Sequence, residues 1–130
     1  MTIQPQTVTP DALDAATTVI IDARDDLAYF EVAYAKAAHA YNEDAAELAI
    51  GQRILMARPD AGTNDAARRA YADRESIAAR DALARLGDEL LAAEISVIRA
   101  KKELAKALDN RRLLEAIMRL DENSREDYAA

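Results

Sequence analysis

The sequence predicts an all-α fold, a long antiparallel helical hairpin that resembles a coiled coil and carries a short third helix at its C-terminal end. The composition favours helix, because alanine, leucine and charged residues are abundant while the 130 residues include only three Gly and three Pro. Apolar residues recur at heptad spacing in two segments of equal length. A cluster of turn-forming residues separates these segments, which is typical of a helical hairpin.

We expect the first helix to span residues 11–57, after a polar lead-in at residues 1–8. Thr9 is placed to cap the helix, and Pro10 suits the first helical turn. Large apolar residues then recur every seven positions, and a residue that is usually small follows most of them after three or four positions. The large residues are Leu13, Ile20, Leu27, Tyr34, Tyr41, Leu48 and Leu55, and the intervening residues are Ala16, Ala23, Phe30, Ala37 and Ala45. Such alternation predicts a seam along which two helices pack closely.

A turn at residues 58–63 and a second helix at residues 64–110 follow. Pro59 disfavours helix at the preceding residue, Gly62 permits a positive φ, and Asn64 or its neighbour Thr63 can cap the new helix. The second seam consists of Leu83, Leu86, Leu90, Ala93, Val97, Ala100, Leu104, Ala107 and Leu114. Gly51 and Gly87 lie inside the two helices, where we interpret them as points of close approach between helices.

Charge patterning predicts the register of the hairpin. Between residues 11 and 26, five aspartates stand against one arginine, a net charge of −4. Between residues 97 and 112, six basic residues stand against two acidic ones, a net charge of +4. We refer to the six as the basic run: Arg99, Lys101, Lys102, Lys106, Arg111 and Arg112. If the chain turns near residue 61, these blocks face each other and the numbers of facing residues add up to about 123.

A dense apolar cluster follows the basic run. It consists of Leu113, Leu114, Ile117, Met118 and Leu120. Because Arg111 and Arg112 interrupt the apolar stripe, we expect a break near Asp109 and Asn110 and a separate short helix at residues 111–121. This helix either folds back across the base of the hairpin or contacts another chain. Residues 122–130 are expected to form a polar tail.

Several large apolar residues lie off the predicted seams. They are Ile21, Val32, Ile50 and Ile54 in the first helix and Leu91, Ile95 and Ile98 in the second. Soluble monomers rarely expose apolar stripes of this size. We therefore expect Leu91, Ile95 and Ile98, together with the C-terminal apolar cluster, to contact a second copy of the chain in a helical bundle or another protein partner.

Candidate catalytic and metal-binding residues are few. The chain has no Cys, and its one histidine, His39, has a single carboxylate, Glu43, one helical turn away. Bundles that bind two metals use Glu-x-x-His pairs on facing helices, whereas here the order is reversed and only a symmetric dimer of this chain would supply a second copy. Adjacent carboxylates point to different helix faces, and no glycine-rich phosphate loop is present. We expect no enzymatic activity, cofactor or metal.

The net charge of −7 disfavours general binding to nucleic acid, although the basic run is a candidate contact for nucleic acid or an acidic partner. No apolar segment has the length of a membrane span, and the opening MTIQPQTVTP lacks the basic and apolar regions of a signal peptide. These observations lead us to expect a soluble cytoplasmic protein that does not bind membranes.

The segment YFEVAYAKAAHAY, the Pro/Gly turn and the Ala/Arg/Glu-rich second helix with its leucine-rich end resemble small helical proteins encoded by bacteriophages of Gram-positive hosts. The resemblance covers residues 25–125 and implies a phage-encoded accessory or assembly protein, acting in the host cytoplasm, with no known site residues. The favoured hypothesis is a non-enzymatic, oligomerising interaction protein. The alternatives are an accessory factor for DNA replication or recombination that uses the basic run, and a metal-binding helical bundle.

Overall fold

The computed structural model describes the backbone of residues 8–129 and the side chains of residues 8–124. Its elements are α1 (Pro10–Met56), a one-turn 3-10 helix η1 (Pro59–Ala61), α2 (Asp65–Glu75) and α3 (Ile77–Ala129). No strand occurs among these residues, so the predicted all-α class is confirmed. The expected lead-in lies outside the described residues except for its last residue, Val8.

Two compact units divide the chain. The terminal unit comprises Met1–Phe30 and Val97–Ala130, so it contains the start of α1 and the end of α3. The turn unit, Glu31–Ser96, contains the rest of both helices together with η1 and α2. In each unit α1 and α3 are antiparallel and pack against each other, as a helical hairpin requires.

The bounds of α1 agree with the predicted helix to within one residue because local signals determine them. The Oγ1 atom and the carbonyl oxygen of Thr9 both accept from the N–H of Ala12, at 3.3 and 3.0 Å. These bonds satisfy a backbone donor that has no partner inside the helix. At the other end, Pro59 lacks the N–H that a continuing helix would need, and it opens η1 instead.

The predicted turn is also observed. Gly62 has a φ of 125°, and a Cβ atom at this position would lie 2.7 Å from the Cβ of Ala67, so only glycine fits without strain. Asn64 caps α2, its Oδ1 accepting from the N–H of Ala67 at 2.8 Å. The first turns of α2 pack on η1, and the Tyr71 hydroxyl donates to the Asp60 carboxylate at 3.4 Å.

The prediction of one unbroken helix over residues 64–110 is wrong, because α2 and α3 meet at a break at Ser76. The Ser76 hydroxyl donates to the carbonyl oxygen of Ala72 at 2.5 Å, and the backbone N–H of Ser76 donates to the same oxygen at 3.0 Å. The backbone of Ser76 departs from helical geometry, with a φ of −107° and a ψ of 14°, and serines that bond back in this way often bend a helix. Ser76 is buried, and Gln52 of α1 approaches its hydroxyl at 3.5 Å.

The predicted break near Asp109 and Asn110 is wrong as well. α3 passes through both residues, through the expected separate helix at 111–121 and through most of the expected polar tail, to Ala129. The physical reason is that no Gly or Pro follows Gly87, and Leu, Arg, Glu, Ala and Met dominate the segment. Arginine is itself a good helix former, so Arg111 and Arg112 do not interrupt the backbone.

Both predicted seams are observed, since their residues are buried or half-buried, with the exception of Tyr34. The register differs from the prediction. Three contacts between α1 and the following helices define it: Thr17 with Arg111, Tyr41 with Gly87, and Gln52 with Ser76. In each pair the residue numbers add up to 128 rather than about 123. This register places the end of α1 opposite Ala72. Roughly the first two turns of α2 therefore extend beyond the end of α1, and α2 packs on η1 instead.

Candidate functional site

Leu91, Ile95 and Ile98 are exposed on α3, as predicted, at 55%, 40% and 47%. Leu91 and Ile95 belong to the turn unit and lie one helical turn apart, on the side of α3 that faces away from the seam. Ile98 belongs to the terminal unit. Contacts within the chain therefore leave about half of each side chain accessible to a partner.

The residues of the C-terminal apolar cluster differ in their exposure. Leu113 and Leu120 are exposed at 59% and 66%, whereas Leu114, Ile117 and Met118 are half-buried. The expectation that the cluster forms a separate helix beyond the interrupted apolar stripe is therefore wrong. In the observed register α1 begins opposite Met118, so the seam continues through that residue instead of ending near Asn110.

The core of the described part of the chain is thin. Six apolar residues are buried: Ala16, Ile20, Ala61, Ala72, Ala100 and Ala107. Because five of these are alanines, Ile20 is the one large side chain among them. Thirteen large hydrophobic residues are exposed: Val19, Ile21, Tyr29, Val32, Tyr34, Ile50, Ile54, Ile77, Leu91, Ile95, Ile98, Leu113 and Leu120. More large apolar side chains thus lie at the surface than in the interior.

The basic run does not form the expected ion pairs with the start of α1. Among the side chains of residues 8–124, its ion pairs all stay within α3, and they are Lys106 with Glu103, Arg111 with Glu115, and Arg112 with Asp109. The prediction of direct pairing between the two charge blocks is therefore wrong. Ion pairs between exposed long side chains contribute only about 0–1 kcal/mol, so seam packing outweighs them in choosing the register. Arg99, Lys101 and Lys102 are exposed.

Arg111 occupies a seam position and is half-buried. Its Nε donates to Oγ1 of Thr17 at 3.0 Å, and its Nη1 lies 2.7 Å from Oε1 of Glu115. Thr17 in turn donates to the carbonyl oxygen of Leu13 at 3.0 Å. Within the terminal unit Arg111 therefore links α3 to α1 through a hydroxyl, rather than through the expected aspartates. The neighbouring Arg112 is exposed.

A groove of about 340 Å³ lies beside Arg111 in the terminal unit. We refer to it as the arginine groove, because Arg24, Arg111 and Arg112 line it. Its apolar lining includes Ile20 and Ile21 of α1 and Leu108 of α3. This groove was not predicted from the sequence, since Arg24 and Arg111 come together only in the correct register.

Contacts between the helices of the turn unit test whether the helices approach each other closely at the two helical glycines, as predicted. A Cβ atom at Gly87 would lie 3.4 Å from Cε2 of Tyr41, so the predicted close approach is confirmed there. At Gly51 no heavy atom lies within 4 Å of such a Cβ, so the same prediction is wrong. Gly51 instead borders an open groove of about 310 Å³ that also includes Gln52 and Ser76.

His39 forms an exposed pair with Glu43, with Nε2 and Oε1 3.1 Å apart. No group of three or more His, Cys, Asp or Glu side chains able to hold a metal ion occurs within the described residues. Tyr29 stacks edge-on against Phe30 with ring centroids 5.5 Å apart, and Tyr29 is 71% exposed. None of these groups brings together an acid, a base and a nucleophile.

The chain matches no protein-family model, no curated protein and no solved structure. Within residues 8–129, no helix is both long and apolar enough to cross a membrane. The exposed apolar residues of α3 and the arginine groove are therefore the candidate sites.

Proposed function

We propose that the protein is a non-enzymatic interaction protein that self-associates through exposed apolar residues of α3. The observation that carries this proposal is the imbalance between a core made mostly of alanine and thirteen exposed large hydrophobic residues. Fully burying a Leu or Ile side chain stabilises by about 1.5–3 kcal/mol, and roughly half of that remains available at Leu91 and Ile95. Burying Leu91 and Ile95 against another chain is the simplest way to gain this stabilisation.

A second copy of the chain is the favoured partner, because each copy supplies the same pair of exposed residues for a symmetric contact. Two hairpins that associate in this way form a helical bundle. The resemblance to phage-encoded helical proteins supports an accessory or assembly role, and we place that role in the cytoplasm of the host.

Native mass spectrometry over micromolar protein concentrations tests the proposal. Leu91→Glu with Ile95→Glu is expected to shift the protein to monomer, while circular dichroism shows that its helix content is retained. Ala78→Glu with Ala92→Glu adds the same charge to exposed positions of α3 and is the matched control. Equal loss of association in both double variants would attribute the effect to charge alone and overturn the proposal.

The basic run supports a second candidate, an accessory factor for DNA replication or recombination. The observation that favours it is that no direct ion pair to α1 engages the basic run among the described side chains. Native mass spectrometry with an added single-stranded or duplex oligonucleotide distinguishes this second candidate function from self-association. A complex that forms at physiological salt and is lost in Lys101→Gln with Lys102→Gln would favour the second candidate.

A further inference from the structure

The arginine groove concentrates positive charge in an acidic protein. The whole chain carries a net charge of −7. The residues that line the groove include three arginines and one acidic residue, Glu115, which leaves a local formal charge of +2. All of them belong to the terminal unit, and Ile20, the one large apolar residue among the buried residues that the structure describes, forms part of the lining.

The antiparallel arrangement brings the three arginines to one groove. Leu108 of α3 lies opposite Ile20 of α1 in the observed register. Arg24 follows Ile20 by about one helical turn, and Arg111 and Arg112 follow Leu108 by about one turn. Because the two helices are antiparallel, the arginines lie at opposite ends of this apolar patch, and all three line the groove.

Contacts within the chain leave many of the guanidinium donors available. Arg111 uses its Nε for Thr17 and its Nη1 for Glu115, and these two contacts hold the side chain in place at the edge of the groove. Arg112 has only a 3.8 Å contact with Asp109, in which both side chains are about three-quarters exposed. Among the described side chains Arg24 forms no ion pair. Each guanidinium carries five N–H donors, so most of the fifteen remain available for a ligand.

We propose that this groove binds a small phosphate monoester whose organic group is apolar. A phosphate monoester carries a charge of about −1.5 to −2 at neutral pH, opposite in sign to the formal charge of the residues that line the groove. Arginine forks bind phosphate oxygens in bidentate geometry. Ile21, which is 52% exposed, and the half-buried Leu108 provide an apolar surface beside the guanidinium groups. The volume of about 340 Å³ falls within the range of small-molecule sites, roughly 300–1,000 Å³.

Calorimetric titration of the full chain with phenyl phosphate at physiological salt tests the inference. Inorganic phosphate tests the charge alone, and phenol tests the apolar group alone. We expect phenyl phosphate to bind several-fold more tightly than inorganic phosphate, and phenol not to bind. Methyl resonances of Ile21 and Leu108 should shift during the phenyl phosphate titration, because these side chains contact the phenyl group.

Arg24→Gln with Arg112→Gln should weaken phenyl phosphate binding by roughly tenfold or more, because it removes two charged donor groups. Arg99→Gln with Arg119→Gln removes the same charge from exposed positions outside the groove and should change affinity by less than about twofold. Both pairs are exposed, so the fold should survive, which circular dichroism checks. Thr17→Val provides a milder test, because it releases the Nε of Arg111 and should weaken binding by several-fold.

Three outcomes would overturn the inference. One is the absence of phenyl phosphate binding at millimolar concentration, and another is an equal loss of affinity in the groove and control double variants. The third is loss of self-association in the groove variant without any phosphate binding by the wild type, which would identify carboxylates of a second copy as the occupant. Because ligand affinity and oligomer mass are measured separately, failure of this inference is distinguishable from failure of the proposed self-association.

Discussion

The terminal unit and the turn unit each contain a part of α1 and a part of α3, but the residues between these two helices are buried to different extents in the two units. In the terminal unit Ala16, Ala100 and Ala107 are buried together with Ile20. In the turn unit the buried residues Ala61, Ala72 and Ser76 lie at the turn and the helix break, and the seam between α1 and α3 is only half-buried. Alanine at alternate seam positions lets two helix backbones approach closely.

The seam of the turn unit carries the large residues Tyr41, Leu48 and Leu83, which are only half-buried and line an open groove of about 290 Å³. Polar contacts differ in the same way. The terminal unit has a bond across its seam, from Arg111 to Thr17, whereas the turn unit has a weaker one at the helix break, from Gln52 to Ser76 at 3.5 Å. Among the described residues, the seam between α1 and α3 is therefore fully buried only in the terminal unit, where three of the four buried residues are alanine.

The largest expected effect is a difference in the stability that the seams of the two units contribute. Ile20→Ala should destabilise the protein by about 2–4 kcal/mol, because it removes the one large buried side chain of residues 8–124 and leaves a cavity. Leu48→Ala in the turn unit should cost about half as much, since Leu48 is only half-buried. Urea unfolding followed by circular dichroism measures both free energies. Equal losses would show that the two seams are packed equally well.

A smaller effect is expected at the polar contact of the terminal unit. Thr17→Val keeps the shape of the side chain but removes the oxygen that accepts from Arg111, and it should destabilise by about 0.5–1.5 kcal/mol. Thr18→Val is the matched control, because the exposed Thr18 hydroxyl bonds only to the carbonyl oxygen of Asp14 within its own helix. If both variants lose the same stability in urea, Arg111 contributes nothing through Thr17.

The smallest effect concerns the two helical glycines of the turn unit. Gly51→Ala should stabilise by about 0.5–1 kcal/mol, because alanine favours helix and the new Cβ meets no neighbour. Gly87→Ala should stabilise less or not at all, because its Cβ would lie 3.4 Å from the Tyr41 ring. Thermal unfolding compares the two, and a larger gain at Gly87 would disprove the close approach.

Local signals account for what could be predicted from the sequence. The ends of α1 and the turn follow from residues that act on their immediate neighbours, such as Thr9, Pro59 and Gly62. Heptad phase likewise identified the exposed positions Leu91 and Ile95, because phase alone determines which face of a helix points away from the seam.

Long-range contacts account for what the sequence did not show. Ser76 is buried and lies near Gln52, which is 24 residues away in the chain, and the register is observed only in contacts between distant residues such as Thr17 and Arg111. Arg111 was interpreted as an interruption because it is charged. An arginine can nevertheless occupy a seam position when its aliphatic part packs there and its guanidinium reaches a partner such as Thr17. The arginine groove required the correct register and was therefore not predicted.

Sedimentation velocity of the wild-type chain tests the central claim most directly. Exposed apolar residues on α3 predict self-association, so the sedimentation coefficient should rise from low to high micromolar concentration toward that of a dimer or larger assembly. The increase should persist at high salt, because apolar contacts are not screened by ions. A chain that sediments as a monomer over the whole range would contradict self-association through α3.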